Sequence, residues 1–200
     1  GTFVADELKT EYQRLELGLD FERQQAAIRV DFASRQIGNI DTDLLIREPA
    51  GRGQLSGQLK FDDLKLTTFA PLIPEVRSLQ GIISADARFD GTLAAPLLYG
   101  ELNLLDGEVQ THSDMVTLSK LVTHLKIEGN RAELDVTMLV VKGPLALGGW
   151  LSWASMPVTG SLTIQGKELE AQYPGMGRVR LSPDIAISLG EETRVSGQVD

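Results

Sequence analysis

Apolar and polar residues alternate with a period of two along most of this chain, and this alternation limits its fold more than any other feature. In the stretch LDVTM, Leu134, Val136 and Met138 alternate with Asp135 and Thr137. Successive side chains of a β-strand point to opposite faces, so this pattern predicts a strand with one apolar and one polar face. Similar runs recur at roughly the 8–12-residue spacing that is typical of all-β proteins.

Turn residues separate these runs. Asp90-Gly91 and Asp106-Gly107 are predicted to be hairpin corners, as are residues 128–130 and 190–192, and a further turn is predicted at 154–159. Glycine at such corners supplies the positive φ that tight hairpins require. The sequence therefore predicts an antiparallel, all-β fold of about a dozen strands with very little helix.

Two segments depart from the alternation. Residues 6–15 carry apolar side chains at helical spacing and fit a strand equally well. Residues 69–80 contain two prolines and are predicted to hold a short helical turn. This segment is a candidate connector that would divide the chain into residues 1–68 and 81–200.

Residues 143–166 carry no charge, and their length would suit a membrane helix of about 20 residues. However, this span contains Pro144, Pro157 and five glycines, and its polar residues alternate with leucine and isoleucine. Two strands around a turn therefore explain the span better than a transmembrane helix.

The net charge of −9 argues against nucleic-acid binding, because contacts to phosphates require a patch of lysine and arginine. It also disfavours electrostatic attachment to anionic lipid head groups, so any contact with lipid is expected through apolar surface. Aromatic residues make up only 6% of the chain, which makes that surface mainly aliphatic. The absence of cysteine excludes disulfides and is compatible with the periplasm.

No set of residues in the sequence indicates catalysis. His112 and His124 have no cysteine or histidine partners at the spacing of a metal site. Asp62-Asp63 interrupts the alternation, which predicts a β-bulge or a bend and not a pair of catalytic carboxylates. Gly166-Lys167 lacks the residues of a phosphate-binding loop, and Ser56 lacks the context of a catalytic nucleophile. We therefore expect no enzyme activity, cofactor or metal.

The apolar face is the remaining candidate site. Alternation assigns the wall residues to one face but leaves open whether that face is the closed core of a sandwich or barrel, or the wall of an open groove. The pattern by itself favours the closed core, whereas the few aromatic residues and the strand-like end of the chain at 194–199 argue for the open form. The predicted wall residues are Leu59, Phe61, Ile83, Phe89, Leu102, Leu104, Leu125, Ile127, Leu134, Val136, Met138, Val140, Leu145, Leu147, Leu151, Leu162 and Ile164.

Residues 78–109 contain a Gly-Thr-Leu-x-x-Pro hinge (GTLAAP) and a Gly-x-Leu-x-Leu-x-Asp-Gly motif (GELNLLDG). With residues 53–76, 145–153 and 179–200 they resemble, in order, the repeating pattern of the C-terminal domain of the TamB family. AsmA-like proteins share the general pattern. The resemblance covers at least residues 53–200 and extends more loosely to the N-terminal part.

The resemblance implies a β-taco, a long antiparallel sheet folded along its length into an open apolar trough. Residues 1–200 would then be one module of a longer periplasmic protein that is anchored in the inner membrane of a diderm bacterium. The implied roles are bridge-like transport of phospholipids, through contact with their acyl chains, and support of outer-membrane protein and autotransporter assembly. The implied protein partners are a TamA-like outer-membrane barrel with POTRA domains and unfolded outer-membrane protein strands, and no catalytic residues are implied.

An alternative is a chaperone-like or docking module. In this interpretation, open strand edges pair with a partner through β-augmentation. The two functions can coexist in one protein.

Overall fold

The chain is almost entirely β-structure in the computed structural model, which describes residues 2–5, 8–22, 24–112, 117–173 and 177–200. These residues form sixteen strands and one 3₁₀ helix, Leu66–Leu72. In chain order the strands are β1 (Thr2–Ala5), β2 (Leu8–Glu11), β3 (Arg14–Glu22), β4 (Gln25–Ser34), β5 (Gly38–Arg47), β6 (Gln54–Lys65), β7 (Val76–Gly91), β8 (Pro96–Thr111), β9 (Thr117–Gly129), β10 (Arg131–Val140), β11 (Gly143–Ser152), β12 (Thr159–Gly166), β13 (Leu169–Tyr173), β14 (Gly177–Leu181), β15 (Pro183–Leu189) and β16 (Arg194–Val199).

Twelve of these strands form one antiparallel sheet. Strands β3 to β12 pair in chain order, and β15 and β16 complete the sheet beside β12. Strands β13 and β14, which lie between β12 and β15 in the sequence, form a separate two-stranded sheet. Strands β1 and β2 form another. The sheet is open, with β3 and β16 as its end strands. The predicted fold class is therefore confirmed: an open, all-β antiparallel sheet of about a dozen strands with very little helix.

Several predicted joints between strands are confirmed. Glu128 pairs with Arg131 across the two-residue turn Gly129-Asn130, in which Gly129 has a φ of 67°. Residues 153–158 connect β11 to β12, and residues 190–193 connect β15 to β16. The helix Leu66–Leu72 overlaps the predicted helical turn, and the strands on its two sides, β6 and β7, pair with each other.

Residues 8–15, the described part of the segment 6–15, form no helix. Leu8–Glu11 is β2 and β3 begins at Arg14, which agrees with the second of the two interpretations left open by the sequence. The apolar residues from Leu15 to Phe21 alternate along β3, as expected for a strand, and β3 pairs with β4.

Two predicted hairpin corners are wrong. Asp106-Gly107 lies inside β8, and Gly91 is still paired, with Pro96, so that the turn between β7 and β8 is made by residues 92–95. At Asp106 the backbone has a φ of 51°, and the register with β9 shifts between Leu104 and Gly107. An Asp-Gly pair can supply a positive φ to a bulge as readily as to a turn, and here it makes a bulge.

Irregularities of this kind lie side by side in five consecutive strands, β6 to β10. The bulge predicted at Asp62-Asp63 is confirmed, and further register shifts occur around Gly81, Asp106, Lys120 and Met138. Asp63 and Lys120 also have positive φ values, 53° and 51°. Because a bulge bends its strand and increases the local twist, a row of bulges bends the sheet along one line. We call this line the crease.

Because Asp106 lies in a bulge of the crease, replacement of aspartate by glycine is expected to change the free energy of unfolding in opposite directions at Asp106 and at a regular strand position. Asp106→Gly should raise the free energy of unfolding by up to about 1 kcal/mol, because glycine adopts a positive φ without steric cost. Asp86→Gly, in regular β7, should lower it by about 0.5–1 kcal/mol, since glycine weakens a strand interior. Urea denaturation of the two variants checks this. Equal losses in both would contradict a bulge at Asp106.

Candidate functional site

Strand register joins the apolar side chains of neighbouring strands into continuous rows. The central row crosses all twelve strands of the large sheet and contains only apolar residues and glycine. At the usual strand spacing it is roughly 50 Å long. Its members are Leu15, Phe32, Ile40, Phe61, Ala85, Leu102, Leu125, Leu134, Gly149, Leu162, Ile187 and Val195.

Two further rows flank the central row on the same face, and their only polar members are Thr42 and Thr123. One row consists of Leu17, Val30, Thr42, Leu59, Ala87, Gly100, Ile127, Ala132, Leu151, Gly160 and Leu189. The other consists of Leu64, Ile83, Leu104, Thr123, Val136, Leu147, Ile164, Ile185 and Gly197. We call this surface the apolar face.

All seventeen predicted wall residues lie on the apolar face. Thirteen belong to the three rows, and Phe89, Met138, Val140 and Leu145 lie on the same face by alternation in their strands. Each of the seventeen side chains is half-buried, except that of Val136, which is buried. The structure thus brings the predicted residues together on one face, while their contact with a ligand stays a prediction.

The prediction missed both ends of this face. Strands β3 to β5 contribute Phe32 and Ile40, and β15 contributes Ile185 and Ile187, none of which was included in the predicted wall. The signal was present, because these residues alternate with polar ones in the same way.

The other face of the sheet is polar and charged. On it, Lys126 Nζ lies 2.7 Å from Glu128 Oε1, and Arg131 Nε lies 3.5 Å from Glu133 Oε1. The hydrogen bond to Glu128, together with its negative charge, raises the pKa of Lys126, and the same hydrogen bond and the lysine's charge lower the pKa of Glu128. The side chains of both pairs are exposed to water, so these ion pairs contribute little to stability and mainly keep this face hydrated.

The apolar face is not a closed core. The buried hydrophobic residues of the described chain are mainly alanines, and none of its side chains is fully buried. At the β3 end of the sheet, Leu17 is 68% exposed and Phe21 is 76% exposed, and at the β16 end Val195 is 67% exposed. A sandwich or barrel core would bury large side chains completely. The face is therefore accessible to an apolar ligand, at least along its ends.

The polar groups do not assemble into a reactive centre. His124 Nδ1 lies 2.7 Å from Asn103 Oδ1 at an exposed position on the polar face. Within the described ranges, no group of three or more histidine, cysteine, aspartate or glutamate side chains is arranged to hold a metal ion. None of the helical structure in that part of the chain is long and apolar enough to cross a membrane.

Comparisons with known proteins find related sequences. Residues 2–104, just over half of the chain, match the family model described as "TamB, N-terminal domain". The translocation and assembly module subunit TamB of Haemophilus influenzae is 28% identical over 189 residues, which are 94% of this chain. The chain covers 15% of the length of that relative. No solved structure matches the chain.

The matching model represents an N-terminal domain, whereas the motifs in residues 53–200 resemble repeats of a C-terminal domain. For residues 2–104 the family match thus indicates an N-terminal domain, and not the C-terminal domain that the motifs had indicated. Glycine-punctuated amphipathic strands recur along a sheet of this kind, because each new strand must meet the same packing requirement. Such motifs therefore identify a type of sheet better than a position within it.

Proposed function

This chain belongs to the TamB family, and from this premise we propose that it is one module of a translocation and assembly subunit that carries phospholipid acyl chains along its apolar face. The whole of residues 1–200 would form a stretch of trough wall. The observation that carries this proposal is the central apolar row, which continues across all twelve strands without a charged residue.

The uniformity of the face suits transport better than tight binding. Burial of apolar surface stabilises an acyl chain by about 25 cal/mol per Å², wherever along the rows it lies. Because neighbouring positions offer nearly equal contacts, a lipid can move between strands without leaving a deep energy minimum. The module itself would supply no energy, and the direction of movement would depend on the membranes at the two ends.

The crease supports this function because it gives the sheet a bent shape. Bulges in β6 to β10 bend the sheet along one line, and a sheet bent in this way can shelter an acyl chain on its concave side. The charged face would then be turned to water. A non-enzymatic role in the periplasm, in a protein anchored in the inner membrane, is part of the same proposal.

A second candidate function is docking of a partner through the sheet edges. Within the described part of the chain, strands β3 and β16 each pair on one side only, and Leu17, Phe21 and Val195 in them are strongly exposed. Unpaired edges can accept a further strand by β-augmentation, which suits unfolded outer-membrane protein strands or a TamA-like barrel protein and its POTRA domains.

Site-specific crosslinking in cells tests the transport proposal. A photoreactive phenylalanine analogue in place of Leu102, in the central row, should give phospholipid adducts. The matched control places the same analogue at the adjacent Glu101, which lies on the polar face between Asp86 and Lys126. Adducts should be at least tenfold fewer there, because Glu101 faces water.

Three results would contradict the transport proposal. Protein adducts alone at Leu102 would show that a polypeptide, and not a lipid, occupies the apolar face. Equal lipid adducts at both positions would show non-specific proximity to a membrane. A folded protein without adducts at Leu102 would contradict the trough.

A further inference from the structure

Two neighbouring hairpin loops expose uncharged, mainly apolar residues at one end of the strands. Residues 92–95 (TLAA) connect β7 to β8, and residues 153–158 (WASMPV) connect β11 to β12. Leu93 is 53% exposed, Met156 is 83% exposed and Val158 is 36% exposed. Between these two loops lies only the short turn of β9 and β10, so they form one surface, which we call the apolar tips.

Trp153 holds the apolar tips in place. Its Nε1 donates a hydrogen bond of 3.1 Å to the carbonyl oxygen of Pro96, at the base of the first loop. Its backbone N–H donates one of 2.9 Å to the carbonyl oxygen of Asn130, in the turn between the loops. Three consecutive hairpins are thus joined by one residue, and the exposed side chains project from a braced base.

Aromatic rings and arginines follow directly behind the apolar tips on the polar face. Tyr99 lies three residues from Pro96, with the Arg88 guanidinium 5.0 Å from its ring centroid. Trp150 lies three residues from Trp153, with the Arg131 guanidinium 4.1 Å from its ring centroid. Three residues of strand correspond to about 10 Å. Both tryptophans of the chain therefore lie at or just behind this surface.

We propose that this end of the sheet docks on the surface of a lipid bilayer. Leu93, Met156 and Val158 would enter the boundary between head groups and acyl chains, where uncharged loops are accepted. The tryptophans and Tyr99 would lie at the head-group level, which suits rings that combine an apolar body with a polar group. The arginines beside them would meet lipid phosphates.

The charged loops on either side limit the docking surface. The loop at 48–53 contains Glu48 and Arg52, and the turn at 190–193 contains Glu191 and Glu192. The contact would therefore extend from β7 to β12, and the acidic turn favours zwitterionic over anionic lipid. This contact would be made by loop tips and not by the apolar face, so it goes beyond the proposed transport function and does not depend on it.

Tryptophan fluorescence tests the proposal, because Trp150 and Trp153 are the chain's own probes. The chain is mixed with vesicles of phosphatidylcholine and phosphatidylethanolamine that contain brominated phosphatidylcholine. We expect quenching that is stronger with bromine near the head groups than with bromine near the bilayer centre. Leu93→Asp and Met156→Asp should each weaken vesicle binding at least tenfold, while circular dichroism stays unchanged since both side chains are exposed.

The matched control is Leu72→Asp. Leu72 is 54% exposed in the 3₁₀ helix at the opposite end of β7, so its replacement should leave vesicle binding within twofold of the original. The proposal is overturned if Met156→Asp binds vesicles like the original chain, if Leu72→Asp weakens binding as much, or if the chain does not bind vesicles. Crosslinking of the tips to a protein in cells, without vesicle binding, would identify a protein partner instead.

Discussion

Leu104→Asp should abolish phospholipid transport by the protein while the sheet remains folded. Leu104 lies in the row beside the centre of the apolar face, between Ile83 and Thr123, and its side chain is half-buried. A carboxylate there would place a charge where an acyl chain must pass, and burial of an unpaired charge under lipid costs several kcal/mol. In cells that depend on this transport, the variant should reduce phospholipid transfer to the outer membrane at least tenfold.

The folded sheet should tolerate this charge, because the side chain of Leu104 is only half-buried and can reach water when no lipid is bound. We expect the free energy of unfolding to fall by about 1–2 kcal/mol, well below the cost of burying a charge in a closed core. The matched control is Asn103→Asp, which introduces the same side chain one residue earlier on the polar face. There the carboxylate can still accept a hydrogen bond from His124, and transport should stay within twofold.

The two variants also separate the alternatives for the apolar face. If Leu104→Asp unfolds the chain, the face is a packed core. If the chain stays folded and transport continues at the original rate, acyl chains do not pass over this row.

The faces of the sheet were predictable because side-chain direction in a strand depends only on alternation. Once Leu134, Val136 and Met138 are assigned to one side, their partners in neighbouring antiparallel strands must bring apolar residues to the same side, or the apolar surface would be divided between two faces. The turn predicted at 128–130, which the structure places at Gly129-Asn130, then sets the pairing of β9 with β10. Which residues share the apolar face therefore followed from local pattern, whereas their role as a binding wall stays a prediction.

The positions of the bends were not predictable in this way. Asp106-Gly107 and Asp90-Gly91 have the same two residues, but the first makes a bulge within β8 and the second closes β7 just before the turn at 92–95. The positive φ falls on Asp106 at the first site and on Gly91 at the second, and neighbouring strands decide which structure results. The row of bulges exists only after β6 to β10 have paired, so no single segment indicates it.

Whether the apolar face is open also could not be read from alternation. A closed sandwich and an open trough require the same pattern of side chains along each strand. The difference lies in the order of the sheet, whose end strands β3 and β16 do not meet, and in the exposure of Leu17, Phe21 and Val195. These are properties of the assembled strands.

Gly149→Ala should cause the largest loss of stability among single-methyl additions to the central row. Gly149 has a φ of +147°, which side-chain-bearing residues rarely adopt, and a Cβ there would overlap the carbonyl oxygen of Ser161 in β12. Gly149 lies between Leu134 of β10 and Leu162 of β12 in the central row. The new methyl group would force β11 and β12 apart at this position and interrupt the row. We expect the free energy of unfolding to fall by about 3 kcal/mol.

The adjacent glycine provides the control. At Gly148, a Cβ would lie 3.6 Å from both Asp135 Oδ1 and the Leu134 carbonyl oxygen, which are ordinary contacts. Gly148→Ala should therefore leave stability unchanged or raise it by up to about 1 kcal/mol, because alanine loses less backbone entropy on folding. Urea denaturation should give a much lower midpoint for Gly149→Ala than for Gly148→Ala, with similar slopes. Equal midpoints would mean that β11 and β12 do not approach closely at Gly149, and the continuous apolar row would then lose its support at that strand pair.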